Sequence, residues 1–394
     1  WTVAASTIDP ALGRQIRDSF GRVFFSGMTI GLVRELLGPT LTDRLSVEDA
    51  LAPGSALLTH KLISLPAARP GTPQTTREVF VPPRICHFLT GRQHLDELIV
   101  RYCDVSHPQV RLDQVIIPEP LRDGVLELIK YHRTYRQRLQ DWGYPDVLPY
   151  GRGIVLLFSG PPGTGKTRLA SALANELGHP LIRVKSDQLR ESEEAIEPML
   201  EELSRESMVQ DALVLFDDCE ALFGQRTAKL SALLDFVENF SGVLILATNQ
   251  PQVLDAAMER RIIHQVDFRS PDKLLREQLW ELHLPPAAPL AADIDIGALA
   301  SNFELTGGAI KNAALVAINK ALSLDVEAPV ISMELLESAA RAQLRYNLED
   351  FTQVAVSPLR LTDVVLPPDQ GEQVQELLEA CRSRTRVLSE WGFG

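Results

Sequence analysis

Short continuous apolar runs are the clearest pattern in the chain. Three of them cover residues 154–158, 213–216 and 242–247, and weaker runs cover 181–184 and 262–268. A run of this kind is typical of a strand buried on both faces of a parallel sheet. Helical periodicity follows the first run, so strands and helices alternate and the pattern predicts an α/β fold.

The first 108 residues show a different pattern. Apolar positions predict short helices over residues 28–37 and 45–51. A stretch rich in Pro, Gly and Thr over 66–76 interrupts the pattern, and a returning strand is predicted over 79–81. Helices followed by a two-stranded wing resemble a winged-helix domain, which is an α+β arrangement.

The chain also contains an internal repeat. RLDQVIIP at residues 111–118 recurs as RLTDVVLP at 360–367, and the same shift places Trp142-Gly143 on Trp391-Gly392. This predicts a module that starts near residue 109 and a linker and second copy over 351–394. Because the chain starts at Trp1 and the copy is short, we expect both ends to be cut.

Composition and charge narrow the class of protein. The chain is 45% apolar and has 39 Lys+Arg against 52 Asp+Glu, a net charge of −13. This composition is typical of a soluble globular protein, and the negative charge disfavours contact with nucleic acid or an anionic membrane. No apolar run approaches the roughly 20 residues that span a bilayer, and no signal peptide is visible. We therefore expect a cytoplasmic protein with no membrane contact.

The most specific motif follows the first apolar run. It reads Gly160-Pro161-Pro162-Gly163-Thr164-Gly165-Lys166-Thr167, the pattern G-x-x-x-x-G-K-T between a strand and a helix. The glycines let backbone N–H groups approach phosphate oxygens, and the helix N-terminus adds a favourable dipole. Lys166 supplies positive charge for the β- and γ-phosphates, and the Thr167 hydroxyl can ligate Mg²⁺. The candidate nucleotide contacts extend to Arg168.

Polar residues end the later runs. Asp217 is expected to hold Mg²⁺ and Asp218 to orient the attacking water, while Asn249 would hydrogen-bond the γ-phosphate or that water. Arg260 and Arg261 are candidates for an arginine finger, a cation delivered to a neighbouring subunit's nucleotide. An isolated acidic pair is more often a helix cap, and two adjacent arginines are more often a solvated helix end. Their position downstream of the phosphate loop favours the catalytic interpretation.

Five motifs in order resemble those of the AAA+ ATPases, in the AAA branch proper: GPPGTGKT, LVLFDDCEALFG, LILATN, LDAAMERRI and LTGGAIKNA. The resemblance implies a P-loop domain over 109–270, a five-stranded parallel sheet with helices on both faces. It also implies a small all-helical lid over 271–350, ATP bound between the two parts, and self-association into a ring, usually a hexamer. With a winged-helix-like domain over 1–108, the chain further resembles ATPases encoded beside bacterial contractile injection systems.

The resemblance carries over residue by residue. Lys166 and Thr167 match the phosphate and Mg²⁺ ligands, Asp217 matches the second Walker acid, and Asn249 matches the first sensor. Arg261 matches the finger better than Arg260, because its spacing to residues 266–268 fits. Tyr144 matches the residue that lies beside adenine in the family. Gly307 and Gly308 match the lid's nucleotide contact.

Two departures from the family pattern bear on activity. The family has Glu where this chain has Asp218, so we expect intact nucleotide binding with slow hydrolysis. Members that thread a polypeptide carry an aromatic–aliphatic–Gly loop after the second strand of the core. Residues 186–194 are polar here and contain neither an aromatic residue nor Gly. We therefore expect this module to bind nucleotide without gripping a substrate.

Three functions fit these features. The leading hypothesis is an ATP-driven ring that remodels or unfolds protein substrates or complexes, with ATP and Mg²⁺ as cofactors. The second is a nucleotide-switched assembly scaffold with weak hydrolysis, which Asp218 and the polar segment favour. The third is a DNA-acting AAA+ protein that uses the winged helix. Residues 1–110 hold 11 Lys+Arg against 10 Asp+Glu, a balance that favours a protein partner over nucleic acid.

Overall fold

The structure is a computed structural model of the chain, and it forms two compact units. The first comprises Trp1–Leu112, Leu126–Ser159 and Thr167–Val266, and the second comprises Asp113–Val125, Gly160–Lys166 and Asp267–Gly394. Within the described part of the chain, no helix is long and apolar enough to cross a membrane. The described residues are 2–20, 28–59, 61–66, 71–92, 94–119, 121–125, 127, 134, 138, 141–143, 153–223, 228–325, 327–349 and 367–385.

Short helices build the N-terminal part of the first unit. They are α1 (Thr2–Ile8), α2 (Pro10–Phe20), α3 (Ile30–Leu37), α4 (Leu41–Ala50), α5 (Ala56–Thr59), α6 (Pro83–Leu89) and α7 (Glu97–Tyr102), with a 3-10 turn at Gln74–Thr76. Isolated bridges join Thr29 to Glu78 and Ser64 to Phe80. The predicted wing is thus held by single bridges around residues 79–81, whose Val79 and Val81 enter the local core.

A six-stranded sheet forms the rest of the first unit, in the order β1-β3-β4-β5-β2-β6. The β2–β5, β4–β5 and β3–β4 pairs are parallel, whereas β1 is antiparallel to β3. Every residue of β2 and β5 is buried, as the continuous apolar runs predicted. The strands are β1 (Cys103–Ser106), β2 (Ile154–Ser159), β3 (Leu181–Lys185), β4 (Leu213–Asp217), β5 (Val243–Thr248) and β6 (His264–Asp267).

Helices that alternate with these strands complete the core. Leu203 and Phe240 are almost fully buried and join the cluster that contains Phe216. The helices are α8 (Lys166–Leu177), α9 (Ser186–Arg190), α10 (Ile196–Gln210), α11 (Glu220–Phe223), α12 (Ala228–Asn239) and α13 (Ala256–Glu259), with 3-10 turns at Leu112–Gln114, Glu193–Ala195 and Pro251–Val253. The α/β fold class predicted from the sequence is confirmed.

The structure differs from the sequence prediction at two places near β3. The sheet has one strand more than the five predicted, because β1 adds an antiparallel edge strand. The polar segment that follows β3 is folded rather than an open loop. Residues 186–190 form α9, and Leu189 on it is completely buried in the main core.

The described residues of the second unit form helices and loops, with one isolated bridge between Leu290 and Ile331. Its core is a cluster around Trp280 that is rich in alanine, including Ala313, Ala317 and Ala339. Buried Arg276 is held by its Nε, which donates to the Ala300 carbonyl at 2.8 Å. The helices are α14 (Lys273–His283), α15 (Ile296–Asn302), α16 (Gly307–Leu324), α17 (Met333–Glu349) and α18 (Pro368–Thr385).

The described residues are compatible with the internal repeat. Helix α18 begins at Pro368, and the shift of the repeat relates this residue to Glu119, where the described residues of the first copy also become helical. Trp391-Gly392 lies outside the described residues. The repeat and the bounds of the four domains therefore stay predictions.

Candidate nucleotide-binding site

The predicted phosphate loop connects β2 to α8. Gly160, Gly163 and Gly165 have φ values of +140°, +76° and +105°, in the region that residues with a Cβ rarely adopt. A Cβ at Gly160 would lie 2.0 Å from the carbonyl oxygen of Phe268. Only glycine fits at that position, so the local backbone explains the residue types of the motif.

Lys166 begins α8 and is only 6% exposed. Its Nζ donates to the carbonyl oxygens of Gly160 at 2.7 Å and Pro161 at 3.0 Å, and the Thr164 hydroxyl donates to the Pro161 carbonyl at 2.8 Å. These contacts hold the ammonium group at the loop, where phosphate oxygens would be strong hydrogen-bond partners. Pro162 and Arg168 are exposed.

The first turn of α16 contacts the same loop. The N–H of Gly308 donates to the carbonyl of Gly163 at 2.9 Å. A Cβ on Gly163 would lie 2.8 Å from Thr306 Oγ1, and one on Gly308 would lie 3.1 Å from Gly163 Cα. The structure therefore brings Gly308, and with it Gly307, to the predicted phosphate loop, and the close approach requires small residues.

Asp217 is the last residue of β4 and faces Thr167 in the first turn of α8. The Thr167 hydroxyl donates to the carboxylate, 2.9 Å from Oδ2 and 3.2 Å from Oδ1. The guanidinium of Arg183 on β3 lies 3.9 Å from Asp217 Oδ2. A hydroxyl and a carboxylate are the oxygen ligands that Mg²⁺ prefers in proteins. The pair predicted to bind the metal is thus assembled, with a donor set that fits it.

Asp218 and Asn249 meet at the ends of the neighbouring strands β4 and β5. Asn249 Nδ2 donates to Asp218 Oδ1 at 2.8 Å. Asp218 is exposed, and its φ of +48° lies in the left-handed region, where Asp is tolerated better than most residues. The predicted water-orienting residue and the predicted sensor thus form one hydrogen-bonded pair.

The two candidate finger arginines have different surroundings. Arg261 donates to Glu238 Oε2 and to the carbonyl of Ala257, both at 2.6 Å. Arg260 is exposed, and it makes no ion pair with any of the described residues. The guanidinium that the sequence favoured as a finger is therefore engaged within its own subunit, while its neighbour extends into solvent.

Glu220 is a site residue that the sequence analysis missed. Its Oε1 accepts a hydrogen bond from the backbone N–H of Asn249 at 3.2 Å. The available signal was a third acidic residue in LVLFDDCEALFG, but spacing alone does not show which carboxylate reaches β5. Cys219, between Asp218 and Glu220 in the sequence, is fully buried. Burial raises the pKa of its thiol well above the usual value, so it stays a neutral core residue.

Tyr144, the residue predicted to lie beside adenine, is outside the described residues.

Comparison with known proteins defines the class. Residues 156–270 match the family model of the ATPase family associated with various cellular activities (AAA), and residues 1–103 match the model of a winged helix domain, variant. The chain therefore contains an AAA ATPase domain preceded by a winged-helix domain. AAA ATPases hydrolyse ATP, usually with Mg²⁺.

Three curated relatives cover this region. A cell division cycle protein 48 homolog from Archaeoglobus fulgidus is 31% identical over 57% of this chain and 34% of its own length. Protein SAV from Sulfolobus acidocaldarius is 25% identical over 77% of this chain and 41% of its own length. A homolog of a 26S proteasome regulatory subunit from Methanothermobacter thermautotrophicus is 30% identical over 55% of this chain and 60% of its own length. The chain thus spans less than two thirds of each relative.

Proposed function

We propose that this chain binds and hydrolyses ATP in a ring, with six subunits expected from the family resemblance, and that the ring acts on protein substrates or complexes. The observation that carries the proposal is the phosphate loop, with buried Lys166 at its carbonyls and Thr167 hydrogen-bonded to Asp217. The likeness to AAA relatives supports the same class of activity.

Each residue of the site would have its own role in binding or hydrolysing the nucleotide. The loop N–H groups and Lys166 would hold the phosphates, and Thr167 and Asp217 would hold Mg²⁺, whose charge assists phosphoryl transfer when it is bound. Asp218 and Asn249 would orient the attacking water between a carboxylate and an amide. A neighbouring subunit would supply Arg260 or Arg261 as the finger.

A second candidate is a nucleotide-switched scaffold with slow turnover. It is favoured by α9, since Leu189 is buried in the core and the segment is not a free apolar loop that could hold an extended polypeptide. Asp218 favours it as well, because its carboxylate is one methylene shorter than that of Glu. In this case ATP would control assembly more than it would drive work.

The test is ATP binding and phosphate release by the protein, with Lys166→Ala as the decisive variant. Hydrogen bonds to charged groups contribute about 1.5–3 kcal/mol, so binding of ATP with Mg²⁺ should weaken by roughly 10- to 100-fold. Lys273→Ala is the matched control, because Lys273 lies on α14 with its side chain 42% exposed and, among the described residues, makes only a 4.0 Å ion pair with Glu277. Equal affinity of Lys166→Ala and the unmodified protein would refute the proposal. Measurable binding with negligible phosphate release would select the scaffold.

A further inference from the structure

The turn after β4 holds the end of β5 at several points. The N–H of Cys219 donates to the carbonyl of Ala247 at 2.9 Å and continues the ladder of the sheet. Beyond it, Asp218 Oδ1 accepts from the Asn249 side chain at 2.8 Å, and Glu220 Oε1 accepts from the Asn249 backbone at 3.2 Å. Asn249 is thus fixed through both its side chain and its main chain, by two carboxylates of the same turn.

The carboxylate of Glu220 is also buried in an unusual way. Its Oε2 is inaccessible to solvent and has no hydrogen-bond partner among the described residues. Burying part of a carboxylate without a partner costs free energy, and such a group calls for an explanation beyond stability. A neutral amide at residue 220 could keep the acceptor for the Asn249 N–H without burying part of a charged group, so stability alone does not explain a glutamate here.

We propose that Glu220 is a positioning residue for ATP hydrolysis, which acts by fixing Asn249 and, through it, the carboxylate of Asp218. The inference rests on the proposed ATPase activity. The exposed Asp218 has φ +48°, and its carboxylate accepts a hydrogen bond from the Asn249 side chain, so the position of Asn249 contributes to its orientation. The hydrogen bond from the Asn249 backbone N–H to Glu220 restricts the movement of the Asn249–Asp218 pair.

The proposal predicts a specific kinetic pattern for Glu220→Ala. A catalytic group misplaced by about 1 Å can lose 100-fold in rate, so the turnover number should fall by roughly 10- to 100-fold. The affinity for ATP should change less than about twofold, since Glu220 contacts neither the loop nor Thr167. Glu220→Gln keeps an acceptor oxygen and should retain most of the turnover. The exposed Glu176 on α8 offers the control Glu176→Ala.

Two further measurements separate positioning from general destabilisation. If Glu220 acts through Asn249, its removal should cost little extra turnover in the Asn249→Ala background, because the two effects are then not additive. Amide hydrogen exchange should show faster exchange of the Asn249 N–H in Glu220→Ala, with exchange in the centre of β5 and the melting temperature unchanged.

The outcomes distinguish this inference from the activity on which it rests. Absence of ATP binding and hydrolysis in the unmodified protein would overturn the proposed function and the inference together. Normal turnover in Glu220→Ala would overturn the inference alone. Additive losses in the double variant, or a loss of turnover that parallels a loss of melting temperature, would also overturn it. Reduced turnover with intact affinity, rescue by Gln and faster exchange at Asn249 would support it.

Discussion

Carboxylates occur in two contrasting settings of the first unit. Between α6 and α10, Glu206 accepts two hydrogen bonds from Arg84, at 2.6 and 2.7 Å, and the two side chains are 1% and 5% exposed. At the ends of β4 and β5, Asp217 accepts from the Thr167 hydroxyl, with the Arg183 guanidinium 3.9 Å away, and Asp218 accepts from the Asn249 amide. The first carboxylate is neutralised by a buried cation of its own chain.

The difference separates a structural charge from a functional one. A buried ion pair is costly to break because one partner is then left without a counter-charge. Asp217 and Asp218 are more exposed than Glu206 and accept their side-chain hydrogen bonds from neutral groups, so they remain able to bind a cation. The buried charge therefore lies where the winged-helix region meets α10, and the charge proposed to bind a ligand lies at the carboxyl ends of β4 and β5. Variants at the two places should affect different properties, namely stability in the first and turnover in the second.

The largest effect is expected from breaking the buried pair. Glu206→Ala leaves the Arg84 guanidinium buried without its carboxylate, and should lower the free energy of unfolding by about 3–5 kcal/mol. The measurement is urea unfolding followed by circular dichroism. Replacing both residues, as Arg84→Met with Glu206→Leu, should cost much less because no charge is then left buried.

A partly exposed pair provides the control for this prediction. Arg34 and Glu48 are 2.7 Å apart, with side chains 28% and 44% exposed. Exposed pairs contribute about 0–1 kcal/mol, so Glu48→Ala should be nearly neutral. If Glu206→Ala were as mild as Glu48→Ala, the buried pair would not stabilise the contact between α6 and α10.

The sequence predicted those parts of the fold and site that depend on local pattern. Continuous apolar runs identified the core strands, and the motif at residues 160–167 identified a loop whose glycines adopt positive φ. These features could be predicted because neighbouring residues determine them. The family resemblance assigned Gly308 to nucleotide contact, and the structure brings this glycine to the loop, where its N–H donates to the Gly163 carbonyl.

What the sequence missed depends on contacts between distant residues. Glu220 and Asn249 are 29 positions apart, and Arg84 and Glu206 are 122 apart. The periodicity of apolar residues along the sequence does not predict such pairings. The strand β1 has only four residues and is defined by its pairing with β3. Leu189 lies in a segment of polar composition, and its complete burial follows from how α9 packs.

The second effect in size concerns the two adjacent arginines. The resemblance favours Arg261 as the finger, whereas the contacts favour Arg260, because Arg261 is already paired with Glu238. An arginine finger contributes about 10³- to 10⁵-fold in turnover. We therefore expect Arg260→Ala to lower ATP turnover by at least tenfold with ATP affinity unchanged. Arg261→Ala should lower the free energy of unfolding by about 1 kcal/mol.

Turnover and thermal melting of both variants decide between the arginines. A loss of turnover in Arg261→Ala with an unchanged melting temperature would reverse the assignment. In that case the Glu238 contact would be a resting position that Arg261 leaves when a neighbouring subunit binds. Glu238→Gln would then raise turnover, since it weakens the interaction of residue 238 with the Arg261 guanidinium.

The smallest effect is expected at Asp218 itself. Asp218→Glu lengthens the side chain by one methylene and should raise turnover a few-fold without changing nucleotide affinity. The gain is limited by the backbone, because φ is +48° and a left-handed conformation costs roughly 1–2 kcal/mol in residues less tolerant of it than Asp or Asn. Asp218→Asn is the matched control, since it keeps the backbone preference and removes the charge. Steady-state phosphate release together with melting curves checks both variants. Unchanged or lower turnover in Asp218→Glu would mean that the length of the side chain at residue 218 does not limit hydrolysis. Asp would then be present because the left-handed backbone of the turn favours it.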